Sequence, residues 1–276
     1  MVIPKIIFQT WRDTDIPLAL RHFAEGWKTH NPDFEYRFYD DAACLSLIEQ
    51  SVPEFVDAYL GFPHPVMRAD FFRYAALYRH GGVYADIDME CVRPMGGLLD
   101  LAPAVLSVET TLTDRRRREL GYGQPIQIAN FVMLGKAGHP LFREAMERCV
   151  DLWRADPCGD VDRIEDITGP RMLTRLLFER PRNDVALLRQ VVLAPPRHYP
   201  DIWPVNALVH ARHHFFGSWK PGQRKSVARR WIERVDLQHH CLGQHRVLAE
   251  CGRPLRLPGA VRVEVAEAQA AGLAQH

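Results

Sequence analysis

The chain has 276 residues, with 35 Lys or Arg against 34 Asp or Glu and a formal net charge of +1. Hydrophobic residues make up 47% and charged residues 25%, a composition typical of a folded globular protein and not of a disordered one. Because the net charge is near zero, the chain as a whole has no positive electrostatic field that would attract nucleic acid. No apolar run approaches the ~20 residues of a membrane span, so we expect no integral membrane protein. The six scattered cysteines, with no C-x-x-C pair and no secretory signal, predict reduced thiols in a cytosolic protein.

The first 67 residues predict strands alternating with helices. Residues 3–8 form an apolar run typical of a buried strand. After Pro17, which suits the start of a helix, apolar residues recur at helical spacing: Leu20, Phe23, Ala24 and Trp27. Residues 34–38 alternate apolar with charged side chains, as a half-exposed strand does, and Asp40 or Asp41 can cap the helix that follows.

Residues 68–88 predict a helix, a glycine break and a strand that ends in two acids. Asp70 and Arg73 are three residues apart and so share one face of the helix. Two glycines, 81–82, then end the helix, because glycine accepts the left-handed conformation that closes a last turn. We interpret residues 83–88 as a buried strand.

Asp86 and Asp88 lie on the same side of that predicted strand, because side chains alternate with period two. Two carboxylates this close repel and raise one pKa unless a cation lies between them. Hard oxygen ligands favour Mg²⁺ or Mn²⁺, ions that commonly bind substrate phosphates. The alternative for two acids at this spacing is a solvated strand end.

The second half continues the alternation less clearly. Strands are predicted at 104–108, 126–134 and 191–193, and helices from Pro140 to about 153, after Pro170, and around Val227, Trp231 and Val235. Asn130, inside an apolar strand, needs a backbone partner or a ligand. Residues 110–124 show no pattern, and their four arginines, 115–118, fit a solvated loop or a site for an anionic acceptor.

The order of elements indicates an α/β fold with a mainly parallel sheet, and such sheets bind ligands beyond the carboxyl ends of their strands. Asp86 and Asp88 lie at such an end. We expect one domain over residues 1–235 and a partly irregular C-terminal appendage over 236–276.

Four ordered motifs resemble the glycosyltransferases whose sugar-binding region contains a DXD motif. They are IPKIIFQTW at 3–11, RAD with the following Arg73-Tyr74 at 68–74, GGVYADID at 81–88, and Ser218-Trp219. This family includes fungal initiating α-1,6-mannosyltransferases, α-1,4-glycosyltransferases and bacterial capsular polysaccharide enzymes. The resemblance covers roughly residues 2–220. It implies a GT-A-type, Rossmann-like sheet flanked by helices, a UDP- or GDP-sugar donor, a divalent Mn²⁺ or Mg²⁺ ion, and retention of anomeric configuration.

By position, the resemblance implies donor-binding residues from several parts of the chain. Trp11 would stack on or border the nucleobase, Asp70 and Arg73 would hold the donor sugar, and Ser218 with Trp219 would close over the diphosphate. Relatives often have histidine where this chain has phenylalanine at position 8, so any role of that histidine is absent here.

The resemblance also implies the metal and catalytic residues. Asp88 would contact the metal directly, Asp86 would contact ribose or metal-bound water, and His213, in preference to His214, would be a further metal ligand. Asn130 lies where the family places a polar residue near the reacting centre. The catalytic candidates are therefore Asp86, Asp88, Arg73 and Asn130.

Three other functions compete with this interpretation. A nucleotidyltransferase would need a glycine-rich phosphate loop after its first strand, which residues 8–11 do not offer. A glycoside hydrolase places its two carboxyls ~5 to 9.5 Å apart across the sugar. A non-catalytic nucleotide-sugar or carbohydrate-binding protein would bind without turnover. Separately, His239, His240, Cys241 and His245 match no standard zinc finger spacing.

Residues 212–234 contain seven Lys or Arg and one acid, Glu233, a local balance of +6. This segment fits either a solvated basic helix or contact with an anionic partner. We expect a glycan or lipid-linked acceptor, no nucleic acid, and a cytoplasmic location with peripheral contact at the inner face of the membrane through the basic helix after Trp219.

Overall fold

The computed structural model describes residues 2–157, 160–180, 182–195 and 208–215. The strands are β1 Ile6–Thr10, β2 Glu35–Tyr39, β3 Gly82–Ala85, β4 Met89–Cys91, β5 Ala104–Thr111, β6 Ile126–Ile128, β7 Val132–Gly135, β8 Val185–Leu188 and β9 Ala211–His213. The helices are α1 Leu18–His30, α2 Asp41–Ser51, α3 Val56–Gly61, α4 Pro65–His80, α5 Asp114–Glu119, α6 Pro140–Ala155, α7 Ile164–Ile167, α8 Pro170–Glu179 and α9 Gln190–Leu193. Asp40 caps α2 by accepting a hydrogen bond from the Ala43 amide, as its sequence predicts.

A seven-stranded sheet has the order β2-β1-β3-β7-β5-β6, with β8 paired to β5. The strands β1, β2 and β3 are parallel, β7 runs antiparallel to both β3 and β5, and β8 is parallel to β5. Five of the seven strands therefore run in one direction, with β6 and β7 opposed. The prediction of an α/β fold with a mainly parallel sheet flanked by helices is confirmed.

Apolar side chains on the two faces of the sheet form two cores. Tyr84 and Leu106 belong to the core on the face covered by α2, α4, α6 and α8. Val83 and Val105 belong to the core on the opposite face, with Trp27 of α1 and Val192 of α9. The alternation along β3 and β5 is that of strands buried on both faces.

Helix α4 carries the candidate site residues Asp70 and Arg73, and its residues 70–77 are all buried. It ends at Gly81, whose φ of +66° is left-handed and whose amide donates to the Leu77 carbonyl at 2.9 Å. An added Cβ at Gly81 would lie 2.5 Å from the Ala137 nitrogen. The glycine break predicted from the sequence is confirmed, because α4 ends at His80 and β3 begins at Gly82.

Several predicted bounds are corrected. The strand predicted at 83–88 ends at Ala85, because the Met89 amide donates to the Asp86 carbonyl at 3.0 Å and closes a turn. The strand predicted at 126–134 is interrupted at 129–131, since β6 and β7 pair with different parts of β5. The arginines at 115–118 lie on the short helix α5 rather than in a patternless loop.

The prediction of a strand at 191–193 is wrong, because these residues belong to α9. The neighbouring apolar run Val185–Leu188 supplies the strand instead, since its backbone pairs with β5 in parallel from Ala104 to Ser107. No helix in the described ranges is long and apolar enough to cross a membrane. The expected domain boundary at 235, the basic helix after Trp219 and the histidines from 239 onward lie outside the described residues.

Candidate active site

Asp86 and Asp88 lie in the turn that follows β3, at the carboxyl edge of the sheet. The Asp86 backbone is fixed at both ends, because its amide donates to the Phe131 carbonyl at 2.9 Å and its carbonyl accepts from Gln9 Nε2 at 3.0 Å. Gln9 is fully buried, and its Oε1 accepts from the Tyr36 hydroxyl at 2.9 Å. Side chains from β1 and β2 therefore set the position of the acidic turn.

The small sheet of β4 and β9 brings a histidine to these acids. Met89 pairs with His213 across the two antiparallel strands. The ring of His213 packs against Phe131 with centroids 4.1 Å apart, and its Nε2 lies 3.0 Å from Asp88 Oδ1. His214 contacts Glu90 instead, at 3.0 Å. Of the two histidine candidates, His213 is the one that lies with Asp88.

One ligand atom from each of Asp86, Asp88 and His213 lies within 4.8 Å of the other two. Carboxylate oxygens and imidazole nitrogens are ligands of Mg²⁺, Mn²⁺ and related divalent ions. Neighbouring ligands of an octahedral ion at roughly 2.1 Å are about 3 Å apart, which matches the separation of His213 from Asp88. The His213 Nδ1 is buried without a hydrogen-bond partner among the described residues, so a bound group or another segment is needed to complete the site. The residues present fit a divalent metal.

Arg73 links the acidic turn to helix α4. Its Nη2 lies 2.9 Å from Asp70 Oδ1 and 3.3 Å from Asp86 Oδ1, and its Nη1 donates to the Asn130 carbonyl at 2.8 Å. The guanidinium also lies 4.9 Å from the centre of the Tyr84 ring. The side chain is only 4% exposed, so its charge is held at one place by the fold.

Asp70 is satisfied from three directions. Besides Arg73, its Oδ1 accepts from Asn130 Nδ2 at 3.0 Å and its Oδ2 accepts from the Thr168 hydroxyl at 2.8 Å. Asn130 reaches Asp70 because it lies in the break between β6 and β7, where its side chain is released from the strand alternation. The sequence predicted a backbone partner or a ligand for the Asn130 amide, and the structure corrects this, because the amide donates to the Asp70 side chain.

Burial raises the pKa of Asp70 to about 6, although Arg73 and the Thr168 and Asn130 hydrogen bonds act in the opposite direction. Burial likewise raises the pKa of Asp86, with Asp88 adding to the effect and Arg73 opposing it. For Arg73, burial acts to lower the pKa, but Asp86, Tyr84 and Asp70 raise it overall. Ionised carboxylates at both Asp86 and Asp88 are therefore unfavourable unless a second cation, in addition to Arg73, lies between them.

Trp11 follows β1 at the same edge of the sheet and packs against the cluster that contains Ile87. Its indole nitrogen is buried without a hydrogen-bond partner among the described residues. The side chain therefore packs against the same apolar cluster as Ile87 of the acidic turn. Ser218 and Trp219, the remaining predicted donor-binding residues, lie outside the described residues.

The sequence interpretation missed several supporting residues, including Gln9, Tyr36, Tyr84, Phe131 and Thr168. Tyr84 donates to Asp86 Oδ1 at 2.8 Å, and the Thr168 carbonyl accepts from the Tyr74 hydroxyl at 3.0 Å. Gln9 carried one signal, a polar residue directly after an apolar run, whereas Thr168 carried none. Their partners are 77 and 98 residues away, so the sequence did not identify them.

Residues 18–110 match the family model described as a glycosyltransferase sugar-binding region containing the DXD motif. The matched region contains Asp70, Arg73, Asp86 and Asp88. The two acids of the turn are thus the DXD motif by position.

Curated relatives are fungal mannosyltransferases. The initiation-specific alpha-1,6-mannosyltransferase of Candida albicans is 26% identical over 79% of this chain and 72% of its own length. Inositol phosphoceramide mannosyltransferase 2 of Schizosaccharomyces pombe is 34% identical over 51% of this chain and 36% of its own length. A mannosyl phosphorylinositol ceramide synthase of Saccharomyces cerevisiae is 33% identical over 53% and 34%. The chain thus spans about a third of the last two proteins.

Solved structures of glycosyltransferases give partial similarity. The galactosyltransferase LgtC, solved with donor and acceptor sugar analogues, has a TM-score of 0.44 at 15% identity, over 83% of this chain and 94% of that chain. The PaToxG glycosyltransferase has a TM-score of 0.44 at 16% identity, over 64% and 70%. The family match and the fungal relatives agree with the acidic turn. The chain is therefore similar, over residues 18–110, to the glycosyltransferases whose sugar-binding region contains the DXD motif, and its curated relatives agree with this similarity.

Proposed function

We propose that this glycosyltransferase is metal-dependent and retaining, and that it transfers a sugar from a UDP- or GDP-sugar to a hydroxyl of a glycan or lipid-linked acceptor in polysaccharide or glycolipid synthesis. The observation that carries the proposal is the meeting of Asp86, Asp88 and His213 within 4.8 Å, beside the buried Arg73. The names of the curated relatives make mannose the first sugar to test.

The charges of the site fit cleavage of a sugar-phosphate bond. That cleavage develops negative charge on the diphosphate and positive charge on the sugar ring. A divalent ion held by Asp86, Asp88 and His213 would neutralise phosphate charge when bound. Arg73 is a second cation, and its contacts with Asp70, Asp86 and the Asn130 carbonyl fix its position before substrate arrives. Such preorganised charge is a large source of catalysis.

Donor recognition is proposed to extend along the carboxyl edge of the sheet. Trp11 offers an aromatic surface for the nucleobase next to the acidic turn. Asp70 and Asn130 hydrogen-bond each other, and both contact Arg73. The donor sugar is proposed to lie beside this group. Ser218 and Trp219 complete the proposed donor site. We propose retention by same-face attack of the acceptor hydroxyl, because Asp70 is engaged by three partners and poorly placed to act as a nucleophile.

Thermal unfolding with a panel of UDP- and GDP-sugars, GDP-mannose first, tests donor binding. Ligand binding to the folded state raises the unfolding temperature by mass action. We expect one nucleotide sugar to raise the midpoint with Mn²⁺ present and to raise it much less with EDTA. A panel without any Mn²⁺-dependent shift would contradict the proposal. Binding without hydrolysis or transfer would favour a non-catalytic sugar-nucleotide-binding protein.

The lipid-linked acceptor and the membrane contact rest on the basic residues between 212 and 234. Each basic residue near an anionic bilayer contributes about 1 kcal/mol of attraction. Co-sedimentation with vesicles containing phosphatidylserine is expected to fall as salt is raised. Equal recovery with neutral vesicles would count against peripheral contact.

A further inference from the structure

The short link between α7 and α8 carries a buried threonine that contacts α4. Thr168 is fully buried, and its amide donates to the Ile164 carbonyl at 3.0 Å, at the end of α7. The next residue packs closely on the same helix, since a Cβ added at Gly169 would lie 2.8 Å from the Glu165 Cα. Backbone contacts with α7 therefore fix the place of Thr168.

Thr168 contacts α4 at two points one helical turn apart. Its hydroxyl donates to Asp70 Oδ2 at 2.8 Å, and its carbonyl accepts from the Tyr74 hydroxyl at 3.0 Å. Residues four apart lie on one face of a helix, so both bonds hold the link against that face. The hydroxyl has one hydrogen to donate, and its other acceptor, the Ile164 carbonyl, is farther away at 3.4 Å. The shorter, charge-assisted bond to the Asp70 carboxylate is therefore the stronger one.

The Asp70 carboxylate depends on its partners for its direction. The terminal torsion of an aspartate is broad and roughly two-fold, so rotamer preference does not decide where each oxygen points. Arg73 Nη2 and Asn130 Nδ2 both contact Oδ1, at 2.9 and 3.0 Å, whereas the Thr168 hydroxyl contacts Oδ2. The Asp70 side chain is only 6% exposed, so bulk water has little access to replace a lost partner. Thr168 therefore helps to hold the carboxylate with Oδ1 toward Arg73.

The direction of Oδ1 matters because Arg73 places one nitrogen between two acids. Its Nη2 lies 2.9 Å from Asp70 Oδ1 and 3.3 Å from Asp86 Oδ1. A turn of the Asp70 carboxylate would move Oδ1 and shift the guanidinium relative to the acidic turn. Because charges interact strongly in a buried site, such a shift would change the charge balance around Asp86. Thr168 is thus linked to the acidic turn through Asp70 and Arg73.

We infer that Thr168 is a positioning residue for sugar transfer: its hydroxyl orients the Asp70 carboxylate, which holds the Arg73 guanidinium beside Asp86. The inference rests on the proposed function, in which Arg73 stabilises the charge that develops during cleavage. Loss of an interaction that acts on developing charge lowers kcat, whereas loss of one that holds the donor before reaction raises KM. Removal of the Thr168 hydroxyl therefore lowers kcat and leaves the donor KM nearly unchanged.

The test compares wild type with Thr168→Val, Thr168→Ser and Thr174→Val. Valine keeps the shape of threonine without its hydroxyl, and serine keeps the hydroxyl. Thr174 is a matched control, because it is a buried threonine of α8 whose hydroxyl bonds are with the Pro170 carbonyl and the Ile128 amide. Hydrolysis of GDP-mannose, or of the nucleotide sugar that the thermal panel selects, is measured with Mn²⁺ below the unfolding temperature of every variant.

We expect Thr168→Val to lower kcat about tenfold, as for the loss of one hydrogen bond to a charged group, with the donor KM within about twofold of wild type. Thr168→Ser is expected to recover most of the wild-type kcat. Thr174→Val is expected to lower the unfolding temperature, because it too loses buried hydrogen bonds, and to keep the wild-type kcat.

The contrary outcomes are distinguishable. Equal losses of kcat in Thr168→Val and Thr174→Val would assign the effect to general loosening around α8 and overturn the inference. A higher donor KM at unchanged kcat, or no recovery in Thr168→Ser, would also overturn it. Wild type without turnover of any nucleotide sugar would overturn the proposed function and this inference with it. If Thr168→Val does not fold, Tyr74→Phe replaces it, with an expected fall of a few-fold in kcat alone, and an unchanged kcat would overturn the inference.

Discussion

Asp70 sets the charge balance of the site at the scale of single residues. Its carboxyl group contacts Arg73, Asn130 and Thr168, and almost none of its surface is exposed to solvent. The charged form is stabilised by Arg73 and opposed by burial. The pKa of Asp70 in the folded protein therefore shows whether burial or the charge of Arg73 has the larger effect.

Stability is expected to depend on pH through Asp70. Its pKa is raised to about 6 in the folded state, against 3.8 as the ordinary value, so the folded state binds more protons between these values. The free energy of unfolding then falls as the pH rises through this window. Relative to Asp70→Asn, wild type is expected to lose up to about 3 kcal/mol between about pH 4 and 7.

Urea unfolding in EDTA across this pH range measures that difference. Asp57→Asn, at an exposed position on α3, serves as the control substitution. A difference between wild type and Asp70→Asn that stays flat, or that favours wild type as the pH rises, would show that Arg73 outweighs burial.

His213 and His214 give a matched pair for the metal site, because they are adjacent but their side chains contact different acids. His213 lies 3.0 Å from Asp88, and His214 lies 3.0 Å from Glu90. We expect His213→Ala to weaken Mn²⁺ binding at least about tenfold and His214→Ala to change it by less than about twofold. Calorimetric titration with Mn²⁺ measures both. Equal affinities for the two variants would exclude His213 as a ligand.

At the scale of elements, the turn between α4 and β3 decides where the acids lie. Gly81 combines a left-handed φ of +66° with close approach to the backbone of residues 135–137, since an added Cβ would lie 2.9 Å from the Gly135 carbonyl oxygen. Gly138 has a similar φ of +70° with nothing within 4 Å. Alanine at Gly138 would therefore introduce backbone strain alone, whereas alanine at Gly81 would introduce both strain and a steric clash.

We expect Gly81→Ala to lower the free energy of unfolding by about 2 kcal/mol or more, since strain and clash act together. Gly138→Ala is expected to lower it by about 1 kcal/mol from strain alone. Chemical denaturation of both variants measures the difference. Equal losses would mean that the backbone around Gly81 moves aside at little cost.

The sequence predicted the elements whose signals are local. The helix after Pro17, the Asp40 cap and the glycine break at 81–82 needed only spacing and cap chemistry. Pairing decided the rest. The sequence predicted a strand at 191–193, whereas the apolar run 185–188, which it did not predict as a strand, is the one that pairs with β5.

The short strands β4 and β9 carried too little local signal to predict, since each has three residues and needs its partner more than 110 residues away. The break at 129–131 likewise depends on β6 and β7 pairing with different lengths of β5. Both features position candidate site residues, His213 and Asn130. The part of the fold that sequence periodicity misses is therefore the part that assembles the site.

At the scale of the whole molecule, the candidate site collects residues from two consecutive elements, α4 and β3, and from the distant strand β9. The acidic turn after β3, the α4 pair of Asp70 and Arg73, and His213 of β9 meet at one edge of the sheet. The resemblance predicted these residues by position, and the geometry adds Gln9, Tyr84 and Thr168 as their supports.

The central claim is that Asp88 holds the metal on which sugar transfer depends. Its most direct test is hydrolysis of the preferred nucleotide sugar by wild type and Asp88→Asn, with Mn²⁺ and with EDTA, after circular dichroism has shown the same fold for both. We expect wild type to lose turnover in EDTA and regain it with Mn²⁺, and Asp88→Asn to be at least about a hundredfold slower in either condition. Wild-type rates in Asp88→Asn, or full wild-type activity in EDTA, would contradict the claim.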